Sequence, residues 1–283
     1  MTDSTEIDKA TSLLKRPERL FEGYIFDLDG TIYLGDALLP GAYRVVMKLR
    51  ELGKRIIFLS NNPTRDLAMY IKKLKELGLP VTEDEIITTV FTTTQWLLQN
   101  APDAVVYPIS EEPLKRSLRE AGIKMSENPE EIDVVIASYD RTFEYRKLQI
   151  AFDAIWYYKR ARLICTNPDH FCPLPGGRGE PDAGTIIAAI EDCTGVKLEV
   201  NCGKPSPVML NTIMNAIQLD PAECIITGDR LYTEIKMGLD AGMNTAVVFT
   251  GETSPDMLLN LPEENRPQYV LGRVDHLIPQ THW

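Results

Sequence analysis

The stretch Phe26-Asp27-Leu28-Asp29-Gly30-Thr31-Ile32-Tyr33-Leu34-Gly35 decides how this chain is read. Two carboxylates, Asp27 and Asp29, are separated by one leucine and followed at once by Gly30 and Thr31. Ahead of them, Gly23-Tyr24-Ile25-Phe26 has the apolar and aromatic make-up of a buried strand. The acidic pair therefore stands where a strand ends and a loop begins. In open α/β sheets that edge is where ligands bind. Two carboxylates so close repel each other unless a cation or a shared proton relieves them, and a hard divalent cation such as Mg²⁺ prefers oxygen ligands. For this segment alone, a strand ending in an ordinary Asp-Gly turn is the plainer alternative.

Two more segments repeat the strand-then-polar-loop form. Arg55-Ile56-Ile57-Phe58-Leu59 runs into Ser60-Asn61-Asn62, and Cys224-Ile225-Ile226-Thr227 runs into Gly228-Asp229-Arg230. Lys204 stands in Gly203-Lys204-Pro205-Ser206-Pro207, just ahead of a predicted helix. A parallel sheet would gather these strand ends. The resulting set of carboxylates, a hydroxyl, backbone N–H groups and one ammonium suits a metal-bound phosphate.

The order DxDGT, SNN, GKP and GDRxxTE resembles the four motifs of the haloacid dehalogenase (HAD) superfamily. The wording FDLDGTIYLG is similar to its branch of NagD-like and 4-nitrophenylphosphatase-like phosphatases. The resemblance covers the chain from about Glu22 to about Thr250. Each motif alone is a weak signal; four in this order and spacing are specific. The resemblance implies an α/β fold: a three-layer, Rossmann-like parallel-sheet core carrying an inserted, smaller α/β cap domain.

The spacings place the insert. Asp27 and Ser60 are 33 residues apart, which one strand end, one helix and one strand consume. Ser60 and Lys204 are 144 residues apart, far more than a core needs. The expected division is core over 1–101, cap over 102–198 and core again over 199–283. Core helices are expected from Pro40 to about Leu52, ahead of Gly53, and from about Asp66 to Leu77. A strand over Ile86–Val90 and a helix over Thr92–Gln99 follow. Expected cap strands are Ala104–Tyr107, Asp133–Ala137 and Arg162–Cys165. Expected cap helices are Glu112–Ala121, Tyr145–Lys159 and Ala183–Thr194. Gly176-Gly177-Arg178-Gly179 lacks the Lys-Ser/Thr of a nucleotide-binding loop and reads as a cap turn.

Composition bounds the function. With 283 residues, 44% apolar and 25% charged, the chain is of globular type. A formal charge of −11 argues against a nucleic-acid or anionic-membrane partner, so an anionic substrate must be drawn by local charge. No stretch approaches the ~20 apolar residues of a membrane span, and the N-terminal leader lacks the apolar centre of a secretory signal. Five cysteines without a C-x-x-C pair argue against a disulfide framework and for the reducing cytoplasm.

What the resemblance implies for single residues can be stated in this numbering. Asp27 is the nucleophile that forms an aspartyl-phosphate, and Asp29 is the general acid and base. Superfamily ATPases and dehalogenases generally carry another residue at the position of Asp29, so its presence favours phosphate-ester hydrolysis. Mg²⁺ is held by the Asp27 and Asp229 carboxylates and the Asp29 carbonyl. Glu234 stands where relatives usually carry Asp and reaches the metal directly or through water. Gly30, Ser60, Asn61, Asn62 and Lys204 are assigned to substrate binding: Ser60 and the Asn61 N–H grip the phosphoryl oxygens, Lys204 bridges the phosphate to the nucleophile, and Gly30 leaves the loop room to bend. In the cap, Tyr139 and Asn167 follow expected strands and are assigned to substrate contact; loop-stabilising hydrogen bonds are the alternative. Ala154-Ile155-Trp156-Tyr157-Tyr158 is read as cap core or a homodimer face.

The expected function is a cytoplasmic, Mg²⁺-dependent phosphatase of small phosphorylated metabolites: sugar or polyol phosphates, phosphoglycolate, pyridoxal phosphate or nucleotides. Phosphonate cleavage or phosphomutase chemistry is an alternative, but relatives of that kind carry a cap between the first two motifs, where there is no room here. A non-catalytic phospholigand-binding or regulatory protein is the other; loss of Asp27, Asp29 or Lys204 would have favoured it, and all three are present.

Overall fold

The computed structural model describes residues 10–174 and 178–283. Gly176 and Gly177 of the expected cap turn, and the first nine residues of the leader, lie outside them. The strands in chain order are β1 (Gly23–Asp27), β2 (Tyr33–Leu34), β3 (Ala37–Leu38), β4 (Arg55–Ser60), β5 (Ile86–Thr88), β6 (Val106–Ile109) and β7 (Val134–Ala137). They continue with β8 (Arg162–Cys165), β9 (Phe171–Leu174), β10 (Arg178–Pro181), β11 (Val200–Asn201), β12 (Cys224–Gly228), β13 (Asn244–Val248) and β14 (Tyr269–Leu271).

The chain divides into two compact units. The first comprises the described chain through Ser60, Ile71–Ile86 and Leu210–Trp283. Its sheet has the order β14-β13-β12-β1-β4-β5. The pairs β1–β4, β1–β12, β12–β13 and β13–β14 are all parallel. From β1 the chain builds outward to β4 on one side and to β12 on the other, so the strand order reverses at β1. All five residues of β1 are buried, as a parallel strand covered on both faces requires. Tyr24 and Phe26 stack at 6.4 Å, and Phe26 stacks on Phe58 of β4 at 6.0 Å. Burial pushes the Tyr24 phenol up to about 12, while its oxygen accepts from Phe21 N at 3.0 Å. The helix Ala42–Glu51 buries Ala42, Val45, Val46 and Leu49, the i, i+3, i+4, i+7 stripe of an amphipathic helix. It stops where Gly53 takes φ +69° and donates to Arg50 O at 3.0 Å.

The second unit comprises Asn61–Tyr70 and Ile87–Met209. Its sheet, β11-β8-β7-β6, is parallel throughout. Alternate residues feed two cores. Val135, Ala137, Leu163 and Cys165 face Ile150, Ala151, Ala154 and Ile155 on one side and Ile186, Ile187 and Ile190 of the helix Ala183–Thr194. Val134, Ile136 and Ile164 face Val90 and Leu97 of the helix Thr89–Asn100, and Leu114 and Leu118 of the helix Glu112–Glu120. The unit is wider than residues 102–198 because Val90, Leu97 and Cys202 belong to its core.

Local differences from the sequence reading have local causes. The helix Thr89–Asn100 starts earlier than expected because Thr88 caps it, its Oγ1 accepting from Phe91 N at 3.2 Å. The segment from Tyr145 is α-helical to Phe152 and a π-turn over Asp153–Tyr157. Its aliphatic residues enter the core, whereas Trp156 and Tyr157 are 53% and 66% exposed, so these aromatics are not cap core. Arg178 and Gly179, expected in a turn, open β10, which pairs with β9 in a hairpin. No helix among the described residues is long and apolar enough to cross a membrane.

All five cysteines are free thiols; Cys165, Cys202 and Cys224 are buried, Cys172 is half-buried and Cys193 exposed. Burial pushes Cys202 up to about 12 and Cys224 to about 11, and raises Cys165 as well. A thiol-selective reagent at pH 8 is therefore expected to modify Cys172 and Cys193 in the folded protein. The other three should react only after denaturation, as read by mass spectrometry of the adducts.

Candidate active site at the strand ends

In the first unit, three neighbouring strands finish at one edge. Asp27 pairs in register with Leu59, and Phe26 with Thr227, so Asp27, Ser60 and Gly228-Asp229 come to the ends of adjacent strands. Neighbouring strands lie about 4.8 Å apart, which sets the scale of the site. Asp27 is 7% exposed and Asp229 4%, whereas Asp29 is exposed. The two acids of the opening motif thus occupy different environments only two residues apart.

A tight loop makes that contrast. Leu28 O accepts from Ile32 N at 2.9 Å, and Gly30 N donates to Tyr33 O at 2.8 Å. Gly30 holds φ +83°, a left-handed conformation that glycine adopts without steric cost. The loop is tied down where Thr250 Oγ1 donates to Gly30 O at 2.6 Å.

Asp229 is gripped from several directions. Its Oδ2 accepts from Glu252 N at 2.8 Å, and its carbonyl accepts from Thr253 N at 3.0 Å and Thr253 Oγ1 at 2.6 Å. A β-carbon at Gly30 or at Gly251 would fall on the Asp229 carboxylate. That carboxylate lies in a cradle of two glycines. Glu234, 1% exposed, accepts from Thr233 Oγ1 at 2.7 Å and fills the space over Gly228. Sequence reasoning missed Thr250, Gly251, Glu252 and Thr253. The signal was available, since they follow the apolar strand β13 in the same strand-then-polar-loop form.

As a metal site, this edge offers oxygen donors alone. Among the described residues no three His, Cys, Asp or Glu side chains converge as an all-protein cage. Two buried carboxylates on neighbouring strand ends fit Mg²⁺, which usually takes one or two carboxylates and keeps several waters.

The second unit holds the other expected residues. Asn61 directly follows Ser60, and its side-chain amide pairs with the backbone of Lys204: Nδ2 donates to Lys204 O at 2.9 Å, and Oδ1 accepts from Lys204 N at 2.7 Å. Lys204 is 2% exposed. A β-carbon at Gly203 would meet Thr166 O and Asn61 Oδ1, so this approach requires glycine. Asn62 shapes its loop, Oδ1 accepting from Thr64 N at 2.9 Å and Thr64 Oγ1 at 2.7 Å. The Tyr139 hydroxyl donates to Glu180, and burial with that carboxylate contact raises its pKa far above the usual phenol. Asn167 Nδ2 donates to Asp169 Oδ2 at 2.9 Å and Asp182 Oδ1 at 3.0 Å, while its Oδ1 accepts from Thr166 Oγ1 at 2.8 Å. The polar groups of Tyr139 and Asn167 thus have protein partners within this unit.

Residues 24–124 match the family profile described as haloacid dehalogenase-like hydrolase, and residues 201–277 match a HAD-hydrolase-like profile. The chain belongs to the haloacid dehalogenase superfamily, in its NagD-like branch. It is 31% identical to 5′-nucleotidase YutF of Bacillus subtilis over 92% of this chain and 99% of that protein. It is 36% identical to the sugar-phosphatase AraL of the same organism, over 81% of this chain and 83% of that one. Among solved structures, 4-nitrophenylphosphatase from Thermotoga maritima superimposes with a TM-score of 0.84 at 33% identity, covering 91% of this chain and 96% of that one. Two of these relatives are phosphatases by name and the third is a 5′-nucleotidase.

The glycine cradle can be tested directly. Gly251→Ala is expected to cost about 1–3 kcal/mol, because the new methyl displaces a carboxylate and the backbone that holds it. Gly35→Ala is the control: Gly35 has φ +57°, but no atom lies within 4 Å of where a β-carbon would sit. It should cost about 1 kcal/mol from backbone strain alone. Urea denaturation of both variants reads the difference.

Proposed function

We propose that the chain is a Mg²⁺-dependent phosphatase of small phosphate monoesters that works through an aspartyl-phosphate on Asp27. The observation that carries the reading is the pair of buried carboxylates, Asp27 and Asp229, at the edge where the strand order reverses, with the exposed Asp29 two residues on. Family membership and the phosphatase names of the relatives support it.

In this mechanism an Asp27 oxygen forms a bond to phosphorus as the bond to the ester oxygen breaks. The Asp29 carboxylic acid gives its proton to the departing alkoxide. Asp29, now a carboxylate, takes a proton from water as that water attacks the aspartyl-phosphate, releasing inorganic phosphate and restoring Asp27. Buried and fixed, Asp27 suits the nucleophile; accessible to water and leaving group, Asp29 suits the proton carrier. Asp27, Asp229 and the Asp29 carbonyl would hold Mg²⁺, with Glu234 acting through water. When bound, Mg²⁺ supplies positive charge against the phosphoryl oxygens. Ser60, the Asn61 N–H and the Lys204 ammonium would bind the remaining oxygens, with Lys204 countering charge that grows in the transition state.

The substrates the relatives are named for differ: a 5′-nucleotide, a sugar phosphate, and phosphoglycolate for a chloroplast enzyme of Arabidopsis thaliana that is 30% identical over 96% of this chain. The shared chemistry is a small phosphate monoester. Five free thiols suit a reducing, cytoplasmic setting.

Purified protein is expected to hydrolyse 4-nitrophenyl phosphate with Mg²⁺ and to lose turnover in excess chelator. Asp27→Asn, nearly isosteric but no carboxylate, should lower kcat by about three orders of magnitude or more with the fold intact by circular dichroism. Activity within tenfold of wild type would remove Asp27 as nucleophile.

Asp29→Asn is expected to damage turnover of a sugar phosphate more than that of 4-nitrophenyl phosphate. An alkoxide needs a proton as it leaves, whereas 4-nitrophenolate needs little help. Equal losses on the two substrates would show that Asp29 is not the acid.

A further inference from the structure

A chain of buried amides and carboxylates runs through the second unit and ends on the backbone of Lys204. Asp182 Oδ1 caps the helix Ala183–Thr194 by accepting from Ala183 N at 2.5 Å. The same oxygen accepts from Asn167 Nδ2 at 3.0 Å. Asn167 Nδ2 also donates to Asp169 Oδ2 at 2.9 Å, and that oxygen accepts a second bond from Asn61 Nδ2, again at 2.9 Å. Asn61 then spends its remaining capacity on the N–H and C=O of Lys204. Asn167, Asp169 and Asp182 are 1%, 4% and 5% exposed.

The inventory of Asn61 is what matters. Its amide has two N–H donors and one oxygen. One N–H and the oxygen pair with Lys204 as a neighbouring strand would; the other N–H is taken by Asp169. An amide is free to turn about its last torsion, and a flip would set its NH₂ against Lys204 N–H. An acceptor at the Asp169 position holds one orientation only. A charged acceptor is stronger than a neutral one, and a buried carboxylate is costly to leave unbonded, so this arrangement is stiff. Asp169 is itself pinned, since Gly184 N donates to its carbonyl at 2.8 Å and a β-carbon at Gly184 would strike it.

We infer that Asp169 is a positioning residue for phosphoryl transfer: through Asn61 it fixes the backbone from which Lys204 projects. This rests on the proposed role of Lys204 at the phosphoryl group. Lys204 acts in the transition state only if its ammonium is placed within a fraction of an ångström, and both of its backbone polar groups are held by an amide whose other N–H is anchored on Asp169.

The test is a double-mutant cycle on 4-nitrophenyl phosphate with Mg²⁺, using Asp169→Ala, Lys204→Ala and both together. Asp169→Ala is expected to lower kcat by about 10- to 100-fold with KM changed by less than about threefold. In the Lys204→Ala background the same change should cost less than about threefold, because the residue it positions is gone. Asp169→Asn, which keeps an acceptor oxygen for Asn61, should recover part of the loss and serves if the alanine variant does not fold. Equal fold-losses in the two backgrounds, or no loss in the wild-type background, would overturn the inference. If wild type shows no turnover, the phosphatase reading fails on its own. The positioning role is then judged by calorimetric binding of inorganic phosphate: Asp169→Ala should weaken it in the Lys204 background and leave it unchanged in the Lys204→Ala background. Weakening in both, or in neither, would again overturn it.

Discussion

The register of β1 between β4 and β12 is the constraint on which the first unit depends. Tyr24, Ile25 and Phe26 are each fully buried, and burial of such side chains stabilises by roughly 1.5–3 kcal/mol apiece. A slip of one residue would turn each to the opposite face of the sheet. A slip toward the interior, where an unpaired carboxylate costs several kcal/mol, would also draw Asp27 away from the polar loops at the strand ends. Apolar burial and the carboxylate's need for polar neighbours therefore fix the same register. Asp27, Ser60 and Asp229 inherit their places from that agreement.

Around the carboxylates, glycine does what larger residues cannot. Gly30 and Gly251 let two loops close directly on Asp229, and Gly203 lets Lys204 approach the Thr166 carbonyl and the Asn61 amide. Each substitutes backbone for side chain at the point of closest approach. Rigidity in these places comes from polar backbone contact, while the two-sided core of the second unit is held by aliphatic packing.

Much of this was legible in the sequence, and the failures are instructive. The strand Arg162–Cys165 and the helix Ala183–Thr194 fall where their patterns put them; the helix has Asp182 before it and Gly195, at φ +74°, after it. The strand β6 runs two residues later than its apolar run suggested. Val105 is taken up by Asp133, its N–H donating to that carboxylate at 2.9 Å, and Pro108 discourages a strand reading. β6 is an edge strand, where proline's missing donor is tolerated. The hairpin β9–β10 hid for a similar reason, with Pro173 and Pro181 inside it. Motif residues announced themselves by wording, but Asp169 did not. Its partner Asn61 lies 108 positions away, and no local pattern marks a carboxylate whose importance is to hold another residue's amide.

Ser60 and Asn61 share one peptide bond, yet Ser60 closes a strand of the first unit and Asn61 opens the second. Their separate duties are allotted by a single step along the chain. Point substitution at either position can be conservative; a change of chain length cannot. Deleting or inserting one residue between Phe58 and Ser60 would move Ser60 off its place at the end of β4, and one between Ser60 and Asn61 would shift the Asn61 amide away from Lys204. Chain length is thus constrained at this junction, and natural variation there should favour replacements over gaps.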